Sequence, residues 1–306
     1  MRIISTTILC LAGFLAQAQT FIELIGQGDQ YYEAKEYIES AQQYDKAFAL
    51  EEGSATQYYN AACSHSLAGD TIQSIEYLKL SAKKGWRNFD HIKRDSDLDP
   101  LHTVNGWQEV LDLVLANKEE FEKDYNKPLM AELEQIHVKD QTLRQLYRAA
   151  DEKFGRGSPE MNYFWKLVSE QDSLNELAVI AIIEEYGWVG SSIVGGKANM
   201  TLWLVIQHAP LPTQEKYLPL LKESVLAGES SGSHLALLED RILMRNAKPQ
   251  TYGSQITRDE VSGEQIVYEI KEPEYVNQRR KEVGLGPIQD YIKRWDIEWT
   301  IEQKEK

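Results

Sequence analysis

The residues best placed to do chemistry are one histidine and two carboxylates. His208, with Gln207 before it, ends the apolar run KANMTLWLVIQHA, Lys197 to Ala209. Steps of three and four residues put Thr201, Leu204, Val205 and His208 on one helical face, so the imidazole points where apolar side chains point. A histidine so placed works as a general base when a carboxylate orients it. Asp140 falls on the helical stripe of Leu129, Leu133, Ile136, Leu143 and Tyr147, with Arg144 one turn further at ion-pair spacing. Asp240 stands beside Arg241 on a later helix, where adjacent residues diverge by about 100° and face different neighbours. A hydrolase reading takes His208 as base, oriented by Asp240 or Asp140. Beside it stand His208 as a satisfied core residue, Asp140 as the cap of a second helix after a break at Val138, and Asp140 as a plain ion-pair partner of Arg144. Ser191, His208 and Asp240 have the residue types of a triad, but no nucleophile elbow surrounds Ser191. No HExxH or paired-histidine spacing marks a metal, and no cofactor fingerprint occurs.

The elements that must position these groups begin at Asn126-Lys127-Pro128, where Pro128 suits the first turn of a helix. After the polar loop Gly155 to Pro159 come the aromatic-rich segment Met161 to Glu170 and a helix from about Ser173 to Tyr186, ended by Gly187-Trp188. Gly190 to Gly196 is a tight glycine loop that opens the Lys197 helix, either as a close-packed connection or as an anion cradle on free amides. Helices from about Thr213 to Ala227 and from Ser233 to Arg245 follow. PQTYGSQITRD and EQIVYEI then alternate as a β-hairpin about the Glu260 to Gly263 turn. A polar helix, YVNQRRKEVGL, leads to the tail.

Asp140-Gln141 with Arg144, Gly187-Trp188, Gln207 to Ala209, Asp240-Arg241, PQTYGSQ from Pro249 to Gln255, and RRKEVGLGP from Arg279 to Pro287 together resemble an uncharacterised bacterial domain family over about residues 130 to 292. This chain has Gly-Trp-Val where that family usually continues Gly-Trp-Pro, and Ala209-Pro210 where it more often has Ala-Asp. The resemblance implies a polar set of Asp140, Arg144, Gln207, His208, Asp240, Arg241, Gln250, Tyr252 and Gln255, drawn from distant helices and a hairpin. Buried polar groups need partners, so one connected network is the economical expectation. It would be a binding pocket, a catalytic centre or a polar core. In the first case Arg144, Gln207, Arg241, Gln250, Tyr252 and Gln255 are the ligand-binding residues; in the second His208, Asp240 and Asp140 are catalytic.

Upstream, the chain repeats at an offset of 34 residues, which sets Gly28 on Ala62, Ala34 on Ala68, Glu36 on Asp70, Ser40 on Ser74 and Tyr44 on Leu78. That is the period of a tetratricopeptide helical hairpin. Two hairpins are expected, from about Phe21 to Glu36 with Ile38 to Leu50, and from Ala55 to Leu67 with Thr71 to Ala82. The following segment, with Gly85-Trp86 and the Asp95 to Asp99 stretch, resembles the terminal repeat that closes such arrays in bacterial proteins, and leads into a helix from about Gly106 to Tyr125. Cys63, among Ala61 and Ala62, reads as a small buried hydrophobe rather than a reactive thiol.

At the start of the chain Arg2, the apolar run IISTTILCLAGFLA and Ala16-Gln17-Ala18 form a secretory signal with cleavage after Ala18. The run is shorter than the roughly 20 residues that span a bilayer, and Cys10 lacks the surroundings of a lipobox. The mature chain would keep Cys63 alone, so no intramolecular disulfide is expected even in an exported, periplasmic or extracellular protein. The net charge of -15 argues against a nucleic-acid surface, which needs clustered Lys and Arg. The expected fold is mainly α: a signal peptide over residues 1–18, a short tetratricopeptide array with a capping helix over 20–126, a mostly helical domain with one β-hairpin over 128–292, and a tail over 293–306. Two functions remain open. One is an exported interaction protein whose repeats dock a protein or peptide and whose C-terminal domain binds a ligand or polypeptide; the other is a hydrolase centred on His208.

Overall fold

The structure, a computed structural model, describes residues 20–305. The expected signal peptide lies outside the described residues. The chain divides into two compact units that meet between Lys123 and Asp124.

The first unit is a run of helical hairpins: α1 over residues 20–33, α2 Tyr37–Phe48, α3 Ala55–Leu67 and α4 Thr71–Lys83. Local chemistry sets the helix starts. Ser54 and Gln57 form a capping box at α3, with each side chain accepting from the other's backbone N–H. Asp70 caps α4 by accepting from Gln73 N at 3.1 Å; such a cap contributes about 1 kcal/mol. The offset of 34 reappears as a repeated bond. Ser40 Oγ donates to the Gly28 carbonyl at 2.8 Å, and Ser74 Oγ donates to the Ala62 carbonyl at 2.7 Å. In each hairpin this small pair lets two helices close on one another. A Cβ at Gly28 would sit 3.1 Å from the Tyr44 ring, so the glycine is matched to the large residue it faces. A short α5, Phe89–Ile92, and a 3-10 turn, Ser96–Leu101, precede α6, Trp107–Phe121. Tyr44, Leu78, Ile92, Leu98, Leu101 and Val110 are buried in one apolar core.

The second unit opens on α7, Lys127–Phe154, capped by Asn126 with Pro128 in its first turn. α8, Pro159–Tyr186, is one continuous helix of 28 residues, not the two segments that the sequence suggests. α7 likewise runs unbroken through Val138, so Asp140 is not a helix cap. α9, Ser191–His208, packs against α7, α8, α10 and α11, and its residues Leu202, Val205 and Ile206 lie in the apolar core. It starts earlier than the sequence suggests, because most of the glycine stretch is helical with a kink at Gly195 (φ 76°, ψ 161°). A Cβ there would meet the Tyr125 ring at 3.1 Å, a second reason for glycine. α10, Leu211–Leu226, and α11, Gly232–Arg245, complete the layer.

The hairpin is shorter than its sequence pattern. β1 Ile256–Arg258 pairs antiparallel with β2 Gln265–Val267, while Pro249 to Gln255 form a loop tied by a bridge between Gln250 and Ile270. α12, Val276–Glu282, and α13, Ile288–Ile292, then pack with Ile270 into a small second core. The residues after 292 are not a loose tail. Trp299 and Ile297 pack against that core, and Lys304 N donates to the Glu274 carbonyl at 2.7 Å. Among the described residues no helix is long and apolar enough to cross a membrane.

Candidate functional site

The C-terminal end of α9 gathers polar groups from four neighbouring helices. His208 Nδ1 lies 3.1 Å from Asp140 Oδ1, which joins the end of α9 to the middle of α7. Asp140 is buried at 1% exposure. Its other oxygen accepts from Gln141 Nε2 at 2.6 Å, and Arg144 Nη1 lies 3.5 Å from Oδ1. Arg144 Nη2 in turn donates to both oxygens of Asp172 at 2.8 Å. Burial pushes the Asp140 carboxyl up, but the His208 hydrogen bond and charge, with Arg144 and Gln141, outweigh burial and hold it below the ordinary carboxylate value. Asp140, Asp172 and His208 offer three ligand atoms within 4.8 Å of one another. The guanidinium of Arg144 already supplies the positive charge between the two carboxylates.

Asp172 was not singled out from the sequence, although its signal is present there. Val168, Asp172, Asn175, Val179 and Ile182 step by four and three along α8, and a carboxylate on that apolar stripe is as informative as Asp140 on its own. The segment was read as two pieces, which broke the stripe at this position. Gln214 also carries a signal, on a helix that the sequence does indicate: it begins the buried stripe Gln214, Tyr217, Leu221 and Ser224 of α10.

Gln207 and Arg241 meet next to this cluster. The Gln207 carbonyl accepts from Gln214 Nε2 at 2.7 Å and from Arg241 Nη1 at 3.1 Å, and the Ala209 carbonyl accepts from Arg245 Nη1 at 2.9 Å. Two guanidiniums therefore cap the last turn of α9, where free carbonyls and the helix dipole favour cations. Four buried atoms here find no partner among the described residues: Asn175 Nδ2, Gln207 Oε1, Gln214 Oε1 and Arg241 Nε.

The remaining expected residues form a second, separate network. Asp240 is fully buried, and its carboxylate accepts backbone N–H groups from Thr251 at 2.7 Å, Tyr252 at 3.0 Å and Ser254 at 3.0 Å. Burial pushes this carboxyl up, and the donors pull it back only in part. Gln250 closes the same loop, donating to the Gln255 and Tyr268 carbonyls and accepting from Gln255 N. Gln255 Nε2 donates to Ser254 Oγ at 2.9 Å. Arg279 and Arg280 donate to the Thr251 and Tyr252 carbonyls from α12. Asp240, Gln250, Tyr252 and Gln255 thus build the loop, and the expectation of one connected network gives way to two. Asp240 does not orient His208; Asp140 does.

The Ser191, His208 and Asp240 triad also fails. Ser191 and His208 are the two ends of α9, separated by on the order of 20 Å at 1.5 Å per residue. The anion-cradle reading of the glycine stretch fails because Glu229 fills it: its carboxylate accepts from Ser192 N at 2.8 Å, and its carbonyl accepts from Ser191 N at 3.0 Å.

The first unit holds a cleft of about 460 Å³, lined by Asp29, Tyr32, Glu33, Tyr44, Tyr59, Asn60, Cys63, His91, Asp95 and Asp97. Tyr32 donates to Asp97, Tyr44 to Asp29, and Tyr59 to Asp95. Burial and then these carboxylate acceptors push the three phenols up, so they remain protonated donors. Among the described residues no lysine or arginine pairs with Asp29, Glu33, Asp95 or Asp97; His91 Nε2, 3.3 Å from Asp95, is the nearby base. Cys63 is buried at 5% exposure, and burial followed by Asp95 and Asp97 pushes its thiol up. It stays a thiol, which disfavours nucleophilic attack.

Residues 127–304 match a family described as a family of unknown function, DUF6624. No curated protein and no solved structure matches the chain.

Proposed function

The chain belongs to that family of unknown function, and we propose that it is an exported interaction protein, with a tetratricopeptide-like unit that grips a basic segment of a partner and a C-terminal domain that binds a ligand at the end of α9. The observation that carries the first part is the cleft. Among the described residues its four carboxylates lack a lysine or arginine partner, and three of them, Asp29, Asp95 and Asp97, are held around tyrosine rings by the hydroxyls of those rings. Uncompensated charge in a concave site is stabilised by an incoming cation, and aromatic faces attract ammonium and guanidinium groups. The cleft volume lies within the range of roughly 300–1,000 Å³ usual for ligand sites. Export rests on the sequence of residues 1–18, and the repeat reading on the offset of 34, supported by the paired Ser40 and Ser74 bonds.

Fluorescence anisotropy with a labelled lysine-containing hexapeptide tests this reading. The lysine peptide is expected to bind, its glutamate counterpart is not, and the double variant Asp29→Asn, Asp97→Asn weakens binding at least about tenfold, or 1.4 kcal/mol. Equal binding of both peptides, or no effect of the double variant, rules the cleft out.

A second reading, a hydrolase, is favoured by one distance. With Nδ1 of His208 engaged by Asp140 at 3.1 Å, Nε2 is the nitrogen left for a substrate proton or an activated water. Turnover across a panel of esters and amides that His208→Gln lowers by about 10² or more would support it. Turnover that survives His208→Gln would remove it.

A further inference from the structure

The four partnerless atoms beside the His208 cluster specify a ligand more closely than the binding reading, on which this inference rests. Gln214 is 0% and Asn175 2% exposed, so neither is relieved by bulk water. The Gln214 amide cannot turn round to find a partner, because its Nε2 is committed to the Gln207 carbonyl at 2.7 Å and a flip would set oxygen against oxygen. Its Oε1 is therefore an acceptor that needs a donor. Asn175 is joined to the Gln171 amide at 2.8 Å, and the other end of its own amide is buried without a partner among the described residues. Arg241 differs from Arg144 in a decisive way. Arg144 has two carboxylates, whereas Arg241 donates only to the Gln207 carbonyl and its buried Nε has no acceptor. Leaving such groups unsatisfied is costly, the charged one most of all.

Two of these groups meet at one point, since Gln214 and Arg241 share the Gln207 carbonyl as acceptor. α8 comes against the start of α10 here, where Glu176 accepts from Thr213 Oγ1 at 2.6 Å. The unmet demand that these bonds fix is thus for a negative acceptor at Arg241 with a hydrogen-bond donor beside it for Gln214 Oε1.

We propose that this site binds a carboxylate that carries an N–H donor on the neighbouring carbon, the group presented by a free amino acid and by the C-terminal end of a polypeptide. The carboxylate pairs with Arg241, and the N–H is taken by Gln214 Oε1. Inorganic phosphate supplies charge and an O–H donor on one and the same group, not a donor on a neighbouring carbon, and a simple carboxylate supplies only half of the match.

Protein-observed NMR titration of the full chain, which tolerates millimolar affinities, tests the assignment with five probes. N-acetylglycine is expected to bind, and acetate and N-acetylglycinamide, each lacking one of the two groups, bind at least tenfold more weakly. Glycine against N-acetylglycine distinguishes a free amino acid from a chain end by which binds more tightly. Arg241→Gln weakens the tighter probe at least tenfold. Gln214→Met, which keeps the side-chain length, weakens it several-fold and stands in if the arginine variant does not fold. Inorganic phosphate binding more tightly than every carboxylate, and lost in Arg241→Gln, overturns the ligand class while leaving a binding domain in place. Binding of no probe by a folded chain overturns the ligand class and makes the four atoms a hydrated polar core; whether another ligand binds there is then decided separately, by whether His208 variants alter binding of the natural partner.

Discussion

Asp140 joins the middle of α7 to the end of α9 through one carboxylate. Its carboxylate is buried, yet its proton affinity is lowered, because His208, Arg144 and Gln141 together outweigh desolvation. A carboxyl whose folded value lies below its unfolded value of 3.8 stabilises the fold fully above that pH and loses the contribution as pH falls through the lower folded value. Asp140→Asn is therefore expected to cost about 2 kcal/mol near neutrality, the scale of a buried charged hydrogen bond. The gap between variant and parent should stay level down to about pH 4 and close below it. Urea unfolding at several pH values measures this. A gap that does not close below about pH 4 would mean that His208, Arg144 and Gln141 do not hold the carboxyl down. The asymmetry with Asp240 is instructive, since burial raises that carboxyl and its partners are backbone amides, not a base.

The loop from Pro249 to Gln255 is the element that best separates architecture from chemistry. Gly253 has φ 69°, and a Cβ there would lie 2.5 Å from the Ile288 side chain, so α13 fixes the glycine as firmly as the turn does. Asp240 of α11, Arg279 and Arg280 of α12, and Tyr291 of α13 all bond to the backbone of this loop. Asp240→Ala strands three buried N–H groups at about 1–3 kcal/mol each, so a loss of about 4 kcal/mol is expected, with Asp240→Asn intermediate because one acceptor oxygen survives. Neither variant should alter ligand binding at the end of α9 in protein that remains folded. A change in binding at unchanged stability would return Asp240 to the site. The sequence is legible at this scale where local chemistry sets it: Asn126 with Pro128 marks a helix start that the structure keeps, whereas Ser158 with Pro159, which reads as part of a loop, is the capped start of α8. The continuity of α8 was not legible, because Gln171-Asp172-Ser173 looks like a polar interruption when its buried partner Arg144 is unknown. The motifs that resemble the family did not reveal which of them close a loop and which face a ligand. Asp240 closes the loop while its neighbour Arg241 donates to the Gln207 carbonyl at the end of α9, as the divergence of neighbours on a helix requires.

At the scale of the whole molecule the question is how an acidic chain finds a partner. The net charge is -15, and four of the carboxylates line one cleft in which, among the described residues, no lysine or arginine offsets them. Such a field raises the encounter rate with a cation without holding it afterwards, because long-range attraction is screened while contacts inside the cleft are not. The Debye length falls from about 30 Å at 0.01 M salt to about 8 Å at 0.15 M. Association of the lysine peptide is therefore expected to slow by about tenfold or more across that range, with dissociation changing far less. Stopped-flow anisotropy separates the two rates. The double variant Asp29→Asn, Asp97→Asn should flatten the salt dependence of association only slightly, because most of the charge lies elsewhere, yet speed dissociation markedly, because those two carboxylates contact the bound cation. If salt acts mainly on dissociation, the field of the chain is irrelevant to capture, and binding is decided by the cleft alone.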